Sequence, residues 1–388
     1  MKNKALVVLF LTIFLDLMGF GLIIPILPIY AKTLGATDAM VGLLGASFSI
    51  MQFIFASFWG GLSDRYGRRP IMLISISIMI VAYILFANAT VLWLLFATRL
   101  LKGFGAANLS VAQAYISDVV PVEKRTKAFG IIGAAFGLGF IFGPSIGGIV
   151  NEFYVVSGVG YFAAALGALN LVLAWFFLDE TLKVKSTTVQ LFPNPFKDII
   201  QFRDIPEVNA LFTINFVYIL GFSMMQITST LLWAEHFGLS ELHIGYTFAY
   251  IGVLAVVIQG GLIGYFNTWF GEKNLLFFGT ILVSMGLFSM PFVPTDKFYL
   301  ELVSMTLLSF GNALLTPTVS TLLTTYAPGD AQGKILGTNQ SVGSLARVLG
   351  PAIGGVAYGF HYSYPYILAG SIALVVSILA LRLRRKLY

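Results

Sequence analysis

Twelve stretches of the chain are apolar for long enough to cross a lipid bilayer. They cover residues 5–30, 40–62, 71–89, 92–117, 127–150, 157–178, 208–233, 243–266, 275–293, 298–325, 335–359 and 364–382. A helix needs about 20 such residues to span the hydrocarbon core, and only helices or closed barrels satisfy their backbone there. The chain is therefore expected to be an all-α polytopic membrane protein. Only 10% of its 388 residues are charged, against about 25% in soluble domains. That shortfall argues against a soluble enzyme, a disordered chain or a nucleic-acid binder. The chain has no cysteine, which removes a disulfide scaffold, a thiolate metal site and a Cys nucleophile. Its three histidines, His236, His243 and His361, are too scattered for a His-rich metal centre, and no metal or cofactor is expected.

The basic residues test the count of spans. With both termini on the cytoplasmic side, 18 of the 23 lysines and arginines fall on inner segments and two, Lys32 and Lys297, on outer loops. Arg99, Lys102 and Arg347 fall inside spans. This is a strong positive-inside asymmetry, and a missed span would reverse the sign of every later loop. The first stretch follows Lys2 and Lys4 but is too long for a signal peptide and lacks a small-residue cleavage site. It reads as a spanning helix.

The longest polar stretch, residues 179–207, divides six spans from six. It reads as a cytoplasmic linker, with a short interfacial helix near 195–202, between an N-terminal bundle (1–178) and a C-terminal bundle (208–388). The halves repeat one another. Gly143-Pro144-Ser145-Ile146-Gly147-Gly148 returns as Gly350-Pro351-Ala352-Ile353-Gly354-Gly355, an offset of 207 residues. Phe104-Gly105 returns as Phe310-Gly311, and Gly60-Gly61-Leu62 as Gly260-Gly261-Leu262, at offsets of 206 and 200. Two parallel six-helix repeats place a substrate cavity at their interface near mid-membrane. The alternative is a helical scaffold in which duplication serves stability alone.

Between the second and third spans stands Gly60-Gly61-Leu62-Ser63-Asp64-Arg65-Tyr66-Gly67-Arg68-Arg69-Pro70, which resembles the signature of the major facilitator superfamily. Arg99-Leu100-Leu101-Lys102-Gly103-Phe104-Gly105 in the fourth span resembles its second motif. Gly137-Leu138-Gly139, Gly143-Pro144 and Gly147-Gly148 in the fifth resemble the motif associated with antiporters. The first span, around Asp16 and Pro25, is similar to that of the tetracycline/proton antiporters and related drug exporters. The likeness is dense over residues 10–150 and thinner beyond. It implies the major facilitator fold, two pseudo-symmetric six-helix bundles, working as a monomer in an inner membrane.

Each motif has a physical reading. A carboxylate at Asp64 and a guanidinium four residues on, at Arg68, can form a charged latch. The resemblance adds Asp118 and implies a network that holds the cytoplasmic gate shut; the alternative is that the arginines only set topology. Asp16 lies about eleven residues into the first span, where a carboxylate costs about 2.5–3.5 kcal/mol and is a functional candidate by default. With Arg99 as its partner, it reads as the proton-coupling site; the alternative is a static pair tying two helices together. Gly139, Gly143, Pro144, Gly147 and Gly148 give a bent, smooth helix face for close packing.

By the superfamily likeness, the cavity is lined by polar residues Gln52, Asn108, Gln113, Tyr115, Asn215, Gln226, Gln259, Asn312, Asn339, Gln340 and Arg347. Asn170, in the sixth span, joins them by the same likeness. Phe48, Met224, Met225 and Trp233 are candidates for an adaptable apolar wall. Arg347 either binds an anionic group or pairs with a backbone carbonyl. Some tetracycline exporters carry further acids within their spans, where this chain has Ala82 and Val283. Its second-half loop reads Gly264-Tyr265-Phe266-Asn267, without acids or arginines, and Glu235 and Glu301 sit near the outer ends of their spans. This departure weighs against a metal–tetracycline complex as substrate.

The expected function is a proton-coupled antiporter that exports a small amphipathic compound or drug by alternating access. A lipid or lysolipid flippase, or a metabolite transporter, is the alternative on the same fold. An integral-membrane enzyme is more distant, because the intramembrane acids and histidines are sparse. No phosphate-binding Gly-x-x-x-x-Gly-Lys-Ser/Thr loop occurs, so ATP is not the expected energy source.

Overall fold

Fourteen α-helices, two short π-turns, one 3-10 turn and no strand account for the regular structure of the described residues, which in this computed structural model are 2–106, 108–120, 122–182, 202, 204–326 and 332–385. The helices are α1 (Lys2–Ile23), α2 (Leu27–Thr33), α3 (Asp38–Tyr66), α4 (Arg68–Ala87), α5 (Leu92–Gly105), α6 (Asn108–Val119) and α7 (Val122–Phe177). They continue as α8 (Pro206–Leu231), α9 (Glu241–Val257), α10 (Ile263–Phe270), α11 (Glu272–Ser289), α12 (Phe298–Tyr326), α13 (Gln332–Phe360) and α14 (Tyr364–Arg385). The interfacial helix expected near 195–202 lies, apart from Phe202, outside the described residues.

The helices follow the expected spans, with differences that have local causes. Span one is α1 and α2, joined by a turn at residues 24–26, and Pro28 sits in the first turn of α2, where its missing N–H costs no helical bond. Span four is broken into α5 and α6 just after Gly105. Spans five and six share α7, whose 56 residues would reach about 84 Å if straight, far beyond a hydrocarbon core of about 30 Å. The helix is interrupted at Val155, where φ is 53°, between the two expected spans. A β-branched residue is strained there. Span eight runs through α9, a π-turn at Ile258–Leu262, and α10.

Among the described residues, eight stretches are by themselves long and apolar enough to cross a membrane. The expectation of twelve differs for specific reasons. Span four is divided, spans five and six are one helix, α9 has only 17 residues, and α13 carries Asn339, Gln340, Ser344 and Arg347.

The chain packs as two compact units. The first comprises Met1–Ala36, Ser47–Pro193 and Leu239–Gly252; the second comprises Thr37–Ala46, Asn194–Gly238 and Val253–Tyr388. Glycine explains the exchanged segments. In the second unit, a Cβ on Gly42 would overlap Pro351 and Gly355. In the first, a Cβ on Gly252 would lie 2.6 Å from Ile141. Backbones this close replace the hydrophobic drive that apolar side chains lack in lipid.

In the first unit, Leu9, Met72, Ile76, Tyr115 and Ile116 form a fully buried core. α1 lies along α7: Gly143 meets Gly21 and Met18, Gly139 meets Leu17, and Gly147 meets Leu22. In the second unit, α13 lies along α8 by the repeated device, with Gly350 against Ser223 and Gly354 against Met224. Val283 packs on Gly311, and Ala82 is buried. Both positions are filled by apolar packing.

Candidate functional site

α5 carries two cations into the core of the first unit. Arg99 is 6% exposed and Lys102, three residues on and on the same helix face, 3%. Lys102 Nζ donates to the Tyr83 hydroxyl at 2.6 Å. It also stands 4.2 Å from the centre of the Tyr83 ring and 5.0 Å from that of Phe20. The Arg99 guanidinium lies 4.8 Å from the Phe48 ring centre and 5.9 Å from that of Phe20. Each contact is a cation–π attraction that replaces part of the lost hydration. Asp16, half-buried on α1, acts electrostatically on both Lys102 and Tyr83, as does Arg99. Gly19 leaves room for the Tyr83 hydroxyl, which would stand 2.6 Å from a Cβ there.

The two residues singled out in the sequence thus share a cluster with two others. Lys102 and Tyr83 complete it, giving two cations, one carboxylate and one phenol among aromatic faces. Such a set can exchange a proton internally or with a ligand when its hydration changes. The sequence puts Lys102 one helical turn after Arg99 but carries no sign of the Tyr83 hydroxyl that meets it.

The second centre lies where α3 ends and α4 begins. Arg68 is buried and reaches three partners: Asp64 at 2.6 Å, Asp118 of α6 at 3.0 Å and the Ser63 hydroxyl at 2.7 Å. The three expected latch residues therefore meet. The side chains of Asp64 and Asp118 are 48% and 23% exposed, so solvent screens part of the attraction. A third acid, Glu180, completes the centre. Its carboxylate accepts the backbone N–H groups of Arg68 and Arg69 at 3.0 and 3.2 Å. It also accepts those of Thr181 and Leu182, both at 2.9 Å. Glu180 thus caps the start of α4, where unpaired N–H groups and the helix dipole favour an anion. Gly67, at φ 115°, is required, because a Cβ would overlap the Glu180 carboxylate. Thr181 closes the ring with a hydroxyl bond to Asp118 at 3.0 Å. The local sequence gave no sign of this capping, because Glu180 is 112 residues from Arg68.

In the second unit, the expected cavity residues Asn215 and Asn339 pair with each other, and Asn312 and Arg347 bond other neighbours. Asn215 Nδ2 donates to Asn339 Oδ1 at 2.9 Å. The Tyr218 hydroxyl donates to Asn312, which also accepts from Thr316 at 3.1 Å. Arg347 donates to Ser344 at 3.0 Å, and Gly343 lies beside both Arg347 and Asn215. Gln226 is half-buried and Gln340 exposed; in the first unit Gln52 and Gln113 are half-buried and Tyr115 is fully buried. The side chains of Asn108 and Gln259 lie outside the described residues. Asn170 bonds the Thr12 carbonyl at 3.1 Å, as interhelical glue. Trp233 turns from the expected apolar wall to donate its indole N–H to Glu301 at 2.9 Å. A groove of about 750 Å³ between α13 and α14, lined by Ile353, Val356, Phe360 and Leu368, contains none of the expected cavity residues. Its apolar walls suit lipid tails.

Comparison with known proteins agrees with this architecture. The family model described as Major Facilitator Superfamily matches residues 9–299 and 211–387. The tetracycline resistance protein, class C, of Escherichia coli is 31% identical over 91% of this chain and 89% of its own length. Multidrug resistance protein 2 of Bacillus subtilis (strain 168) is 30% identical, covering 96% and 94%. The quinolone resistance protein NorA of Staphylococcus aureus (strain COL) is 28% identical over 98% and 96%. Among solved structures, the human organic anion transporter MFSD10 superposes with a TM-score of 0.74 at 24% identity, covering 98% of this chain and 99% of that one. The nucleoside transporter NupG gives 0.80 at 13%, with the same coverage. These two likenesses concern the fold alone. Because the family model spans nearly the whole sequence and relatives of 30% identity or more run along both six-span halves, this chain belongs to the Major Facilitator Superfamily.

Proposed function

We propose that this protein is a secondary exporter of small amphipathic drugs, driven by protons entering in exchange. The observation that carries this reading is the cluster of half-buried Asp16 with buried Tyr83, Arg99 and Lys102, in a chain similar along its length to tetracycline, multidrug and quinolone resistance proteins. Asp16 takes up and releases the proton, and Arg99 and Lys102 set the field in which it does so. Asp64, Arg68 and Asp118 hold the cytoplasmic gate. Gln52, Gln226, Asn312 and Arg347 belong to the substrate cavity, and Asn215 positions it through Asn339. The working form is a monomer in the inner membrane, with both termini cytoplasmic and residues 179–207 linking two six-helix bundles. It carries no cofactor, catalyses no covalent step and binds no nucleic acid.

Reconstitution tests this reading. Liposomes containing the protein, given a pH gradient, are expected to accumulate ethidium, and Asp16→Asn to abolish accumulation while retaining downhill exchange. Accumulation that ignores the gradient in both proteins overturns proton coupling. Competition by lysolipid would redirect the reading to a flippase.

A further inference from the structure

Glu301, on the first turn of α12, has no exposed surface. Its Oε1 accepts the Trp233 indole N–H at 2.9 Å. Its Oε2 is buried with no hydrogen-bond partner. Tyr366 of α14, also fully buried, lies within electrostatic reach of both Glu301 and Glu235, with Thr228 beside its hydroxyl. Glu235 accepts from the Tyr358 hydroxyl at 3.2 Å, and Asp38 acts on Tyr358. The titratable groups facing this pocket are therefore acids and phenols, and among the described residues no cation pairs with Glu301. A carboxylate here would leave one bare oxygen beside other acids; a carboxylic acid suits the surroundings. All of these residues belong to the second unit.

We propose that Glu301 is a second proton-binding site, which holds its proton while Trp233 covers it and releases it when Trp233 moves away. The proton comes from water as a hydron added to Oε2 and returns to water, with no other bond made or broken. In the topology proposed above, on which only the direction of use rests, the first turn of α12 faces the outer side. Protonation from outside then favours closing that end of the second unit. The second half has no mid-span carboxylate, and Glu301 supplies the acid from its edge.

Trp233 provides the readout. Tryptophan emission of the purified full chain in detergent is titrated between about pH 4 and 10. A transition is expected in the wild type and in Asp16→Asn, lost in Glu301→Gln and in Trp233→Phe, and shifted in midpoint in Glu301→Asp. An unchanged transition in Glu301→Gln overturns the proposal, as does no Trp233-dependent transition in the wild type. If Glu301→Gln does not fold, infrared spectra of the wild type decide. A protonated-carboxyl band that Trp233→Phe shifts supports the site, and its absence over that pH range refutes it. Proton release on adding tetraphenylphosphonium in weak buffer tests the link to transport. Fewer protons per bound cation in Glu301→Gln are expected, and equal release overturns the coupling. Failure of the wild type to bind tetraphenylphosphonium counts against the drug-export reading, and the emission titration still decides the proton site.

Discussion

Lys102 and Tyr83 are joined by a hydrogen bond of 2.6 Å inside the first unit, with the amine also seated on the face of the same phenol ring. Arg99 and Asp16 both act on this pair. Asp16 and the phenol oxygen therefore both favour the Lys102 ammonium, while Arg99 opposes it.

This arrangement predicts an asymmetry between two substitutions. Lys102→Met keeps the side-chain volume and removes a buried charge that Arg99 opposes. Its thermal stability should be unchanged or higher by about 1–2 kcal/mol. Tyr83→Phe leaves the ammonium without its oxygen and should cost about 1–3 kcal/mol. Both should reduce gradient-driven transport at least tenfold. Thermal unfolding in detergent, followed beside liposome uptake, checks both. Equal destabilisation by the two changes would mean that Lys102 is held chiefly by packing.

The latch makes a second prediction. Arg68→Lys keeps the charge but cannot reach Asp64, Asp118 and Ser63 at once, because a lysine offers one nitrogen in place of a planar fork. It should cost about 1–2 kcal/mol, limited by the exposure of both acids. Glu180→Gln should cost about 1 kcal/mol, because an amide has one acceptor oxygen for the four backbone donors. The absence of native cysteine allows a single introduced Gly60→Cys to report the opening. Its labelling rate should rise in Arg68→Lys and in Asp118→Asn. Rates unchanged in both would leave the arginines a topological role only.

The polar plan of the molecule was only partly legible in the sequence. The spans, the repeat and the Asp64–Arg68 pair could be read because apolar runs, glycine–proline blocks and i,i+4 charges are local patterns, whereas Asp118, 50 residues from Arg68, was implied by the family resemblance alone. Glu180 and Lys102 could not be placed the same way. Glu180 acts across 112 residues, and a single lysine in a span gives no hint of the phenol that meets it. Glu301 was visible as an acid near a span end, but its burial depends on Trp233, 68 residues away. Helix breaks were also hidden. Neither the interruption after Gly105 nor the strained Val155 follows from hydropathy, which averages over a whole turn.

Glycines at close contacts should separate sharply from glycines in open space. A Cβ at Gly147 would overlap the Leu22 carbonyl, whereas nothing lies near a Cβ at Gly337 on α13. Gly147→Ala must push α1 from α7 and should cost about 1–3 kcal/mol. Gly337→Ala should gain up to about 1 kcal/mol from helix propensity. Paired thermal-unfolding curves measure the difference. A neutral Gly147→Ala would show that the α1–α7 contact adjusts without loss.

The amide pair of the second unit gives the last prediction, through a double-mutant cycle. Asn215 is 7% exposed and bonds Asn339 at 2.9 Å. Asn215→Leu should cost about 1–3 kcal/mol, because it leaves the Asn339 amide without its partner. Asn339→Leu should cost a similar amount. The double variant removes both polar groups, so it should lose less than the two single changes together, with a coupling about equal to the cost of one of them, about 1–3 kcal/mol. Transport separates two roles for the pair. If it only ties α8 to α13, activity should recover in the double variant along with stability. If Asn215 positions the cavity, the double variant should be as stable as its better parent yet remain impaired in ethidium transport. Recovery of stability without activity is the outcome expected here.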